Sequence, residues 1–516
     1  MVVFSLHASL FWYRCLAVLV VALAAHAATG RAAGEPPAAS DRADMAATAD
    51  LPANLRIVLR QTRPLAVPRG TRLLLYVLPI TNSLRGLSDA RAEQVLQGLD
   101  ARGIAVTVDW NPSQRNESLA EGLRIGALQQ KHGLGVNVNA TACLSSFFNG
   151  DERTAHVDEQ GRPFFDDSFD PGVKIGCPFA VGFREPVIKE QVEFFLRSYA
   201  RAGVEIAFIF ADWEIDGPIE WNGAWAAAKH CRRCRQHIQP IDDFRTFQKE
   251  LRLIRCAMQR TAFGANVARY FPRARVGNYA VYPHDGYRYW YDYFEKPVAG
   301  APYKADQRAR YREWFPEFER TGYTCAMPVV YTWYSLFGWY DFPNPDYRWF
   351  YNMLLVASNS GRHRRPGVPN ISFVHWTTTA PPTRPDPAVR QFSAEKYQEL
   401  LRHMLLRGHD TFFLWCQDPE LAEEIRLVHE VYAESLRYQD YLTRGQPVTF
   451  DVPQRTGPVV SAVRLDDKVL VGRTDFDDRT PDVWLRVGDR PLRVPPLPGQ
   501  WQVFDLKSAS DNKSRP

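Results

Sequence analysis

The feature that most constrains this chain is a regular alternation of eight apolar, β-rich segments with eight amphipathic segments between residues 72 and 442. Most of the apolar segments are apolar on both faces, which is typical of parallel strands covered by helices. The predicted strands are 72–80, 104–110, 135–140, 204–211, 274–280, 325–332, 371–377 and 411–415. The predicted helices are 88–101, 119–131, 185–202, 241–270, 303–320, 347–359, 394–407 and 420–442. This order predicts an α/β protein with a (β/α)8 TIM barrel.

An open, doubly wound sheet would also alternate strands with helices. That alternative is disfavoured because no Gly-rich phosphate-binding loop follows the first strand. A length of 516 residues suits a large barrel with a small appendage, and a hydrophobic content of 45% allows a large core.

The pattern changes after residue 446. Short β-rich segments at 448–452, 459–465, 469–473, 482–487 and 501–506 are joined by Gly, Pro and Asp turns, which predicts a small antiparallel β-sandwich. This part could bind sugar, but a packing module that braces the barrel is the favoured interpretation. The predicted division is a signal peptide at 1–28, a disordered linker at 29–52, a catalytic barrel at 53–445, the sandwich at 446–507 and a disordered tail at 508–516.

The N-terminus has the pattern of an export signal. Arg14 precedes an apolar run over 15–25, and Ala25-His26-Ala27 offers a small-x-small cleavage site. An uncleaved anchor is the alternative, because residues before Arg14 are also apolar. No later segment is long and apolar enough to span a bilayer, so we expect a secreted or periplasmic protein.

The charge pattern disfavours nucleic acid as a partner. The net charge is +5, and Lys and Arg are interspersed among Asp and Glu without forming a basic stripe. The expected partner is a carbohydrate substrate, and the sequence does not indicate a protein partner.

The cysteines allow more than one interpretation. Of the eight, seven remain after removal of the signal, so at least one thiol is unpaired within the chain. Cys143 and Cys177 are a predicted disulfide pair that brackets one long loop. Four potential zinc ligands fall within eight residues: His230, Cys231, Cys234 and His237. The two cysteines of that set could equally form a disulfide, and the favoured expectation is no metal and no cofactor.

The end of the fourth predicted strand carries the strongest chemical signal. Asp212, Glu214 and Asp216 lie at alternate positions, which would point all three to one side. Functional groups of such barrels lie at the C-terminal ends of the strands. Clustered carboxylates raise each other's pKa values, which favours a general acid near neutral pH. Helix capping and loop salt bridges are the alternative use of these acids.

Asp212-Trp213-Glu214 resembles the Asp-Trp-Glu that ends the fourth strand of hyaluronidases and family 18 chitinases. The resemblance implies that Glu214 is the proton donor and that Asp212 orients a substrate N-acetyl group, which attacks the anomeric carbon. Residues 327–331 resemble the sixth chitinase strand, where a Tyr helps to hold that group. Residues 412–415 resemble the eighth strand, whose Trp floors the sugar-cleaving subsite. Ala207 and Phe210 stand where chitinases have further Asp residues, so the fourth strand is more similar to that of hyaluronidases.

A looser resemblance links the Cys-x-x-Cys stretch after the fourth strand to β-galactosidase-like bacterial barrels. Enzymes of that type carry a nucleophilic Glu on the seventh strand, whereas residues 373–377 here contain no acid. Without an attacking acetamido group, a second carboxylate is needed. The candidates by strand position are Asp109, Asp285, Asp341 and Asp418, of which Asp109 and Asp418 are preferred.

Aromatic residues cluster after the fifth and sixth predicted strands. Sugars present flat C–H faces that pack on aromatic rings, so two such loops at one end of a barrel favour sugar binding. A local core for the loops themselves is the alternative. The predicted substrate-binding residues are Trp110, Asn137, Asn139, Trp213, Asn278, Tyr279, Asp285, Tyr331, Trp333, His375, Trp376 and Trp415.

These features together predict a glycoside hydrolase that acts on an extracytoplasmic poly- or oligosaccharide with Glu214 as general acid. The alternative is a catalytically inactive, carbohydrate-binding barrel. A metal-dependent hydrolase or deacetylase that uses His284 and His375 is a third, weaker interpretation, because paired His residues after the first strand are missing.

Overall fold

The computed structural model describes residues 48–144, 151–168, 172, 174–213, 219, 221–285, 315–333, 340, 342–379, 389–476, 482–496 and 500–506. The predicted signal peptide and C-terminal tail lie outside these ranges. At the end of the predicted linker, Asp50 forms an ion pair with Arg91 at 2.6 Å, and Leu51 is buried. Residues 48–52 are therefore packed on the fold, and the prediction of a disordered linker is wrong for them.

Eight parallel strands of the described chain form the central part of the structure. They are β1 (Tyr76–Val77), β2 (Thr107–Asp109), β3 (Val136–Asn139), β4 (Ile206–Ala211), β5 (Arg275–Asn278), β6 (Val329–Trp333), β7 (Ile371–Thr379) and β8 (Thr411–Leu414). β2, β3, β4 and β5 pair in that order, and β6, β7, β8 and β1 pair in that order. The predicted α/β class with parallel strands is confirmed.

Backbone contacts join the two groups of strands into one circuit. A parallel bridge between Leu75 and Ile104 links β1 to β2. On the other side, the carbonyl oxygen of Val276 in β5 accepts the N–H of Cys325, just before β6, at 3.1 Å. Every strand thus lies beside its neighbours in sequence, which is the order of a closed barrel and not of an open doubly wound sheet.

Helices follow the strands in the predicted alternation. They are α1 (Ala53–Gln61), α2 (Asp89–Asp100), α3 (Arg115–Lys131), α4 (Thr141–Leu144), α5 (Arg184–Arg201), α6 (Trp225–His230), α7 (Arg232–His237), α8 (Phe244–Gln259), α9 (Ala265–Tyr270), α10 (Phe315–Arg320), α11 (Pro345–Arg362), α12 (Ala394–Leu406), α13 (Leu421–Ser435) and α14 (Gln439–Arg444). A π-helical turn, Arg260–Gly264, separates α8 from α9, so the predicted helix 241–270 is interrupted. Within the described ranges, none of these helices combines the length and the hydropathy needed to cross a membrane.

Aromatic rings fill the barrel interior. Phe413 of β8 lies 4.6 Å from Phe210 of β4 and 4.5 Å from Phe373 of β7, and Tyr76 of β1 lies 4.4 Å from Phe208 of β4, between ring centroids. Alternate residues of a strand point to the same side, so 208 and 210 both face inward. These rings form the floor beneath the C-terminal mouth of the barrel.

The C-terminal part is antiparallel. Its strands are β9 (Gln446–Pro447), β10 (Val459–Leu465), β11 (Lys468–Thr474), β12 (Val483–Val487), β13 (Arg490–Val494) and β14 (Gln502–Asp505). β9, β10, β11 and β14 form one sheet, and β12 pairs with β13 as a hairpin. The two share a small apolar core. The predicted strand at 448–452 is replaced by the shorter β9, and β13 had no counterpart in the prediction.

A buried polar contact joins the barrel helices to the C-terminal sheet. Arg407, which follows α12, is fully buried, and its Nε donates to Oγ of Ser461 in β10 at 2.7 Å. The ring of His403 lies between the hydroxyls of Ser461 and Thr474, at 2.7 and 3.0 Å. Such specific, satisfied contacts are what a module that braces the barrel requires.

Candidate active site

The mouth of the barrel collects side chains from the C-terminal ends of the described strands. Parallel partners in register point to the same side, and Asp109, Asn139 and Phe210 are successive partners across β2, β3 and β4. Since Phe210 faces inward, the two polar side chains do so as well, and alternation places Asp212 on the same side. Aromatic side chains come from the other half of the barrel: Tyr279, Tyr331, His375 and Trp415.

The polar half is one hydrogen-bonded chain. Asn82, after β1, donates from Nδ2 to Oδ2 of Asp109 at 2.7 Å, and its own Oδ1 accepts the backbone N–H of Asp109 at 2.8 Å. Asn139 also bonds to the Asp109 carboxylate. The Thr141 hydroxyl donates to Oδ1 of Asn139 and accepts the backbone N–H of Asp212 at 2.8 Å. Asp109 and Asp212 are therefore held by one network.

Asn82 holds an unusual backbone conformation within this network. Its φ of 58° lies in the left-handed region, which non-glycine residues rarely adopt. The two reciprocal bonds with Asp109 stabilise that conformation.

The end of β4 is fixed from both sides. Beyond Asp212, the N–H of Trp213 donates to Oδ1 of Asn278 at 3.0 Å. The carbonyl oxygen of Trp213 accepts Nδ2 of Asn278 at 3.1 Å and Nη2 of Arg255, in α8, at 2.7 Å. The peptide groups on both sides of Trp213 are thus fixed by hydrogen bonds. These bonds orient the Asp212 carboxyl without involving the carboxyl oxygens themselves.

Burial changes the acidity of both aspartates. It raises the pKa of Asp212 from 3.8 to about 7. It also raises the pKa of Asp109 to about 6, although the hydrogen bonds from Asn139 and Asn82 oppose the shift. Both groups therefore exchange protons within the range in which a general acid or base is effective at neutral pH.

The raised pKa of Asp212 makes a prediction about stability. The folded chain binds this proton more tightly than the unfolded chain, so the group's contribution to stability is fully present below about pH 4 and is lost as pH rises towards about 7. Asp212→Asn cannot ionise, and it should raise the free energy of unfolding by about 2–3 kcal/mol more at about pH 8 than at about pH 5. Denaturant unfolding at the two pH values measures this difference. Asp489→Asn, at an exposed turn, is the matched control, and a gain for Asp212→Asn that does not grow with pH would contradict the assignment.

The aromatic half presents stacked rings. Tyr331 of β6 and Trp415, just after β8, are nearly parallel, with centroids 5.4 Å apart and an interplanar angle of 26°. His375 of β7 meets Trp415 edge-on at 4.9 Å, and Tyr279 lies 6.3 Å from Tyr331. Trp415 is half-buried, so part of its indole borders the mouth. The exposed part of the Trp415 indole suits the flat C–H face of a pyranose ring, whereas Tyr331, Tyr279 and His375 are buried.

Two glutamates that the sequence analysis missed hold His375. Its Nε2 lies 2.9 Å from Oε2 of Glu420 and 3.3 Å from Oε1 of Glu424. Burial raises the pKa of Glu424. Burial also acts to raise the pKa of Glu420, but the hydrogen bond and the charge of His375 outweigh it, so the pKa of Glu420 is lowered. Glu424 also accepts the backbone N–H groups of Trp376 and Thr377. The three side chains could ligate a cation, but both carboxylates already serve as acceptors within the protein. The only sequence signal is their spacing of four on the helical segment after β8.

Strand alternation corrects several predicted substrate contacts. The residue next to an inward-facing one points outward, into the helix layer. Trp110 is fully buried there, stacked on Phe195 of α5 at 5.0 Å. Trp376 donates its indole N–H to the Phe392 carbonyl at 2.8 Å. Four predicted substrate contacts are displaced from the mouth in this way: Trp110, Trp213, Asn278 and Trp376.

Three further candidates lie elsewhere. Asn137 is buried below the mouth, where its amide donates to the carbonyl of Val106 at 3.0 Å. Asp285 is 3.5 Å from His363, which caps the C-terminal end of α11. That helix runs antiparallel to the strands, so Asp285 is at the face opposite the mouth and is not a substrate contact. Asp418 is exposed at the rim and accepts a hydrogen bond from Asn54 at 2.9 Å.

Other predicted residues lie outside the described part of the chain. These are Glu214, Asp216 and Asp341; Trp333 belongs to β6, but its side chain is likewise not described. The general acid predicted from the Asp-Trp-Glu motif therefore rests on the sequence and on the position of Asp212 two residues earlier.

The predicted disulfide between Cys143 and Cys177 is wrong. Cys143 packs in the barrel core, with its Sγ 3.9 Å from the Trp110 carbonyl. Cys177 instead lies beside Cys234, at 3.6 Å between Sγ atoms. All seven cysteines in the described chain are buried and are not joined by disulfides.

No protein-family model matches this chain, and no curated protein matches it. Solved structures show a partial likeness. An endo-beta-1,4-mannanase from Thermotoga petrophila aligns over 85% of this chain and 93% of its own, with 11% identity and a TM-score of 0.40. A GH36 alpha-galactosidase from Geobacillus stearothermophilus aligns over 87% of this chain and only 57% of its own, with 9% identity and a TM-score of 0.40. An alpha-amylase from Malbranchea cinnamomea aligns over 81% and 90%, with 10% identity and a TM-score of 0.38. Likeness at this level carries no argument about activity or substrate.

Proposed function

We propose that this protein is a glycoside hydrolase that acts on an extracytoplasmic poly- or oligosaccharide, with Glu214 as general acid. The observation that carries the proposal is the meeting of two kinds of group at one barrel mouth. Carboxyl groups with raised pKa values lie on β2 and directly after β4, and a wall of rings comes from the opposite strands. Cleavage of a glycosidic bond needs both proton transfer and a flat apolar support for the sugar.

In the proposed reaction, the Glu214 carboxyl gives its proton to the glycosidic oxygen as that oxygen leaves the anomeric carbon. The oxygen of a 2-acetamido group, oriented by Asp212, attacks the carbon from the other side. Asp109, in the same network, is the second carboxylate for a sugar that lacks this group. Water then adds its hydroxyl to the anomeric carbon and returns its proton to Glu214.

The half-buried Trp415, which stacks on the buried Tyr331, supplies the sugar platform in this proposal. Trp415→Ala removes this platform and should raise KM for the responsive glycan by about 10-fold or more. Steady-state kinetics measures KM, and calorimetry on an inactive variant measures Kd. The matched control is Trp484→Ala on β12, whose side chain is 63% exposed and remote from the mouth. An unchanged KM for Trp415→Ala would show that this ring only supports the fold.

The direct test is release of reducing ends by the purified chain from hyaluronan, chitin oligosaccharides and galactans. Release from an acetamido polymer alone supports the substrate-assisted route through Asp212. Release from a galactan supports a second carboxylate, and Asp109→Asn should then be inactive. No release from any of the glycans would contradict hydrolysis of these substrate classes.

A catalytically inactive, carbohydrate-binding barrel is the second candidate. The observation that favours it is the seventh strand, where a side chain facing the mouth is His375 and its Nε2 is bound to Glu420. Thermal shift with the same glycans distinguishes the two candidates. A shift without any release of reducing ends would favour binding alone.

A further inference from the structure

A second cluster of reactive side chains lies outside the barrel mouth. It consists of His156, Cys177, Cys231 and Cys234, and all four are buried. One potential ligand atom from each residue lies within 4.8 Å of the others. The chemistry proposed at the mouth uses none of them.

The distances match a tetrahedral metal site. Sγ of Cys177 lies 3.6 Å from Sγ of Cys234 and 3.8 Å from Sγ of Cys231, and Nδ1 of His156 lies 3.9 Å from Sγ of Cys234. Zinc–sulfur bonds of about 2.3 Å at tetrahedral angles place two sulfurs about 3.8 Å apart, and a sulfur and an imidazole nitrogen about 3.6 Å apart. The three printed separations are thus close to those that one tetrahedral zinc ion requires.

The ligands come from three separated segments. His156 begins a short hairpin of strands His156–Val157 and Pro163–Phe164, and Phe164 stacks on its ring at 5.2 Å. Cys177 precedes a 3-10 turn, and its N–H donates to the Thr154 carbonyl at 2.6 Å. Cys231 caps α7 and Cys234 lies in its first turn. The first two segments follow β3, and the third follows β4.

This region has a core of its own, separate from the barrel core. Trp225, Phe244, Phe247, Ile238 and the three cysteines make up most of it. So small a core buries little apolar surface and gains from a cross-link. A metal ion is one such cross-link, since its binding free energy becomes folding free energy.

We propose that His156, Cys177, Cys231 and Cys234 bind a structural zinc ion. The ion would cross-link the loop region that follows β3 to the loop region that follows β4. Binding displaces three thiol protons and leaves three thiolates and one neutral imidazole around the ion. All four protein ligands fill the tetrahedron, so the ion takes no substrate. The set differs from the one expected from local spacing, because His230 and His237 are exposed.

A second contact links the same two loop regions. Trp221 lies between the end of β4 and α6. Its indole N–H donates to Oγ of Ser168, in the loop region after β3, at 2.9 Å. The zinc cross-link would reinforce the contact between Trp221 and Ser168. The proposal stands without the glycosidase assignment, since it requires no reaction at the mouth.

A disulfide is the competing use of the cysteines. It would join two sulfurs and leave a third thiol and a buried imidazole beside it without a role. The approach of all four ligand atoms to within 4.8 Å of one another favours a metal over a disulfide.

The test is metal content of the full purified chain, produced with zinc available and passed over a weak chelating resin. We expect one zinc per chain by mass spectrometry of the metals, and no alkylation of Cys177, Cys231 and Cys234 until zinc is removed. Replacement by Co(II) should give the d–d bands of a tetrahedral ion and thiolate-to-cobalt charge transfer. A metal-free chain, or a peptide map with a disulfide among these cysteines, would overturn the proposal.

Variants assign the ligands. Cys177→Ser and His156→Ala should each reduce the zinc content to less than half of the wild-type value. The alkylation of the remaining ligand cysteines should rise accordingly. The control is Cys256→Ser, a buried cysteine of α8 whose Sγ bonds to the Leu253 carbonyl, and it should keep the full zinc content. If the ligand variants do not fold, the metal content and the alkylation map of the wild-type chain decide the proposal. Full zinc retention by soluble Cys177→Ser would overturn it.

Discussion

Replacing Glu214 with glutamine is expected to lower kcat/KM on the responsive glycan by about 10³-fold while sugar binding stays nearly unchanged. The amide keeps the size of the side chain but has no proton that it can give to the leaving oxygen. Glu214 follows a strand end whose backbone at Asp212 and Trp213 is held by Thr141, Asn278 and Arg255.

The leaving group provides a sharper test than the loss alone. A nitrophenolate leaves without protonation, so Glu214→Gln should lose far less activity on a nitrophenyl glycoside than on the natural linkage. Glu205→Gln is the matched control, because this exposed acid precedes β4, at the other end of the strand. Equal losses on both substrates would rule out proton donation by Glu214, and unchanged turnover would end its assignment altogether.

The fold was largely predictable because its signal is repeated. Eight apolar segments that alternate with eight amphipathic segments leave few topologies, and β10 was predicted with its observed bounds, Val459–Leu465. The first strand was overestimated: Pro79 lies in a 3-10 turn, Leu78–Ile80, which ends β1 after Val77. A proline has no N–H for the ladder, so the strand stops before it.

The site was only partly predictable, for a geometric reason. The rule that functional groups lie at strand ends selected five residues that lie at the mouth: Asp109, Asp212, Tyr331, His375 and Trp415. The same rule also selected neighbours whose side chains point outward. Applying the two-residue period consistently would have removed Trp110 and Trp376.

Contacts between residues that are far apart in the sequence gave no pattern that a sequence analysis could use. Glu420 and Glu424 reach His375 from the segments after β8, where the strand-end rule selected only Asp418. The cysteine cluster shows the same limit. Cys231 and Cys234 formed a visible motif, whereas Cys177 is 54 residues from Cys231 along the chain and meets it only in three dimensions.

Replacing Arg407 with alanine is expected to lower the free energy of unfolding by about 3–5 kcal/mol. Its guanidinium is fully buried and donates to Ser461 Oγ, Ser358 Oγ and the Asp451 carbonyl, at 2.7, 2.5 and 3.0 Å. Burial lowers its pKa to about 9, which still leaves it charged at neutral pH. Alanine removes these bonds and also leaves a cavity where α12 meets the C-terminal sheet.

A volume-conserving variant separates the two causes of this loss. Arg407→Met fills most of the cavity but leaves the hydroxyls and the carbonyl without their donor, so it should cost about 2 kcal/mol, less than alanine. Guanidinium unfolding followed by tryptophan fluorescence measures both variants. The exposed Arg437→Ala is the control and should change the value by less than about 0.5 kcal/mol. If Arg407→Ala costs no more than this control, the buried contact does not brace the barrel, and the C-terminal sheet must be held by its apolar packing alone.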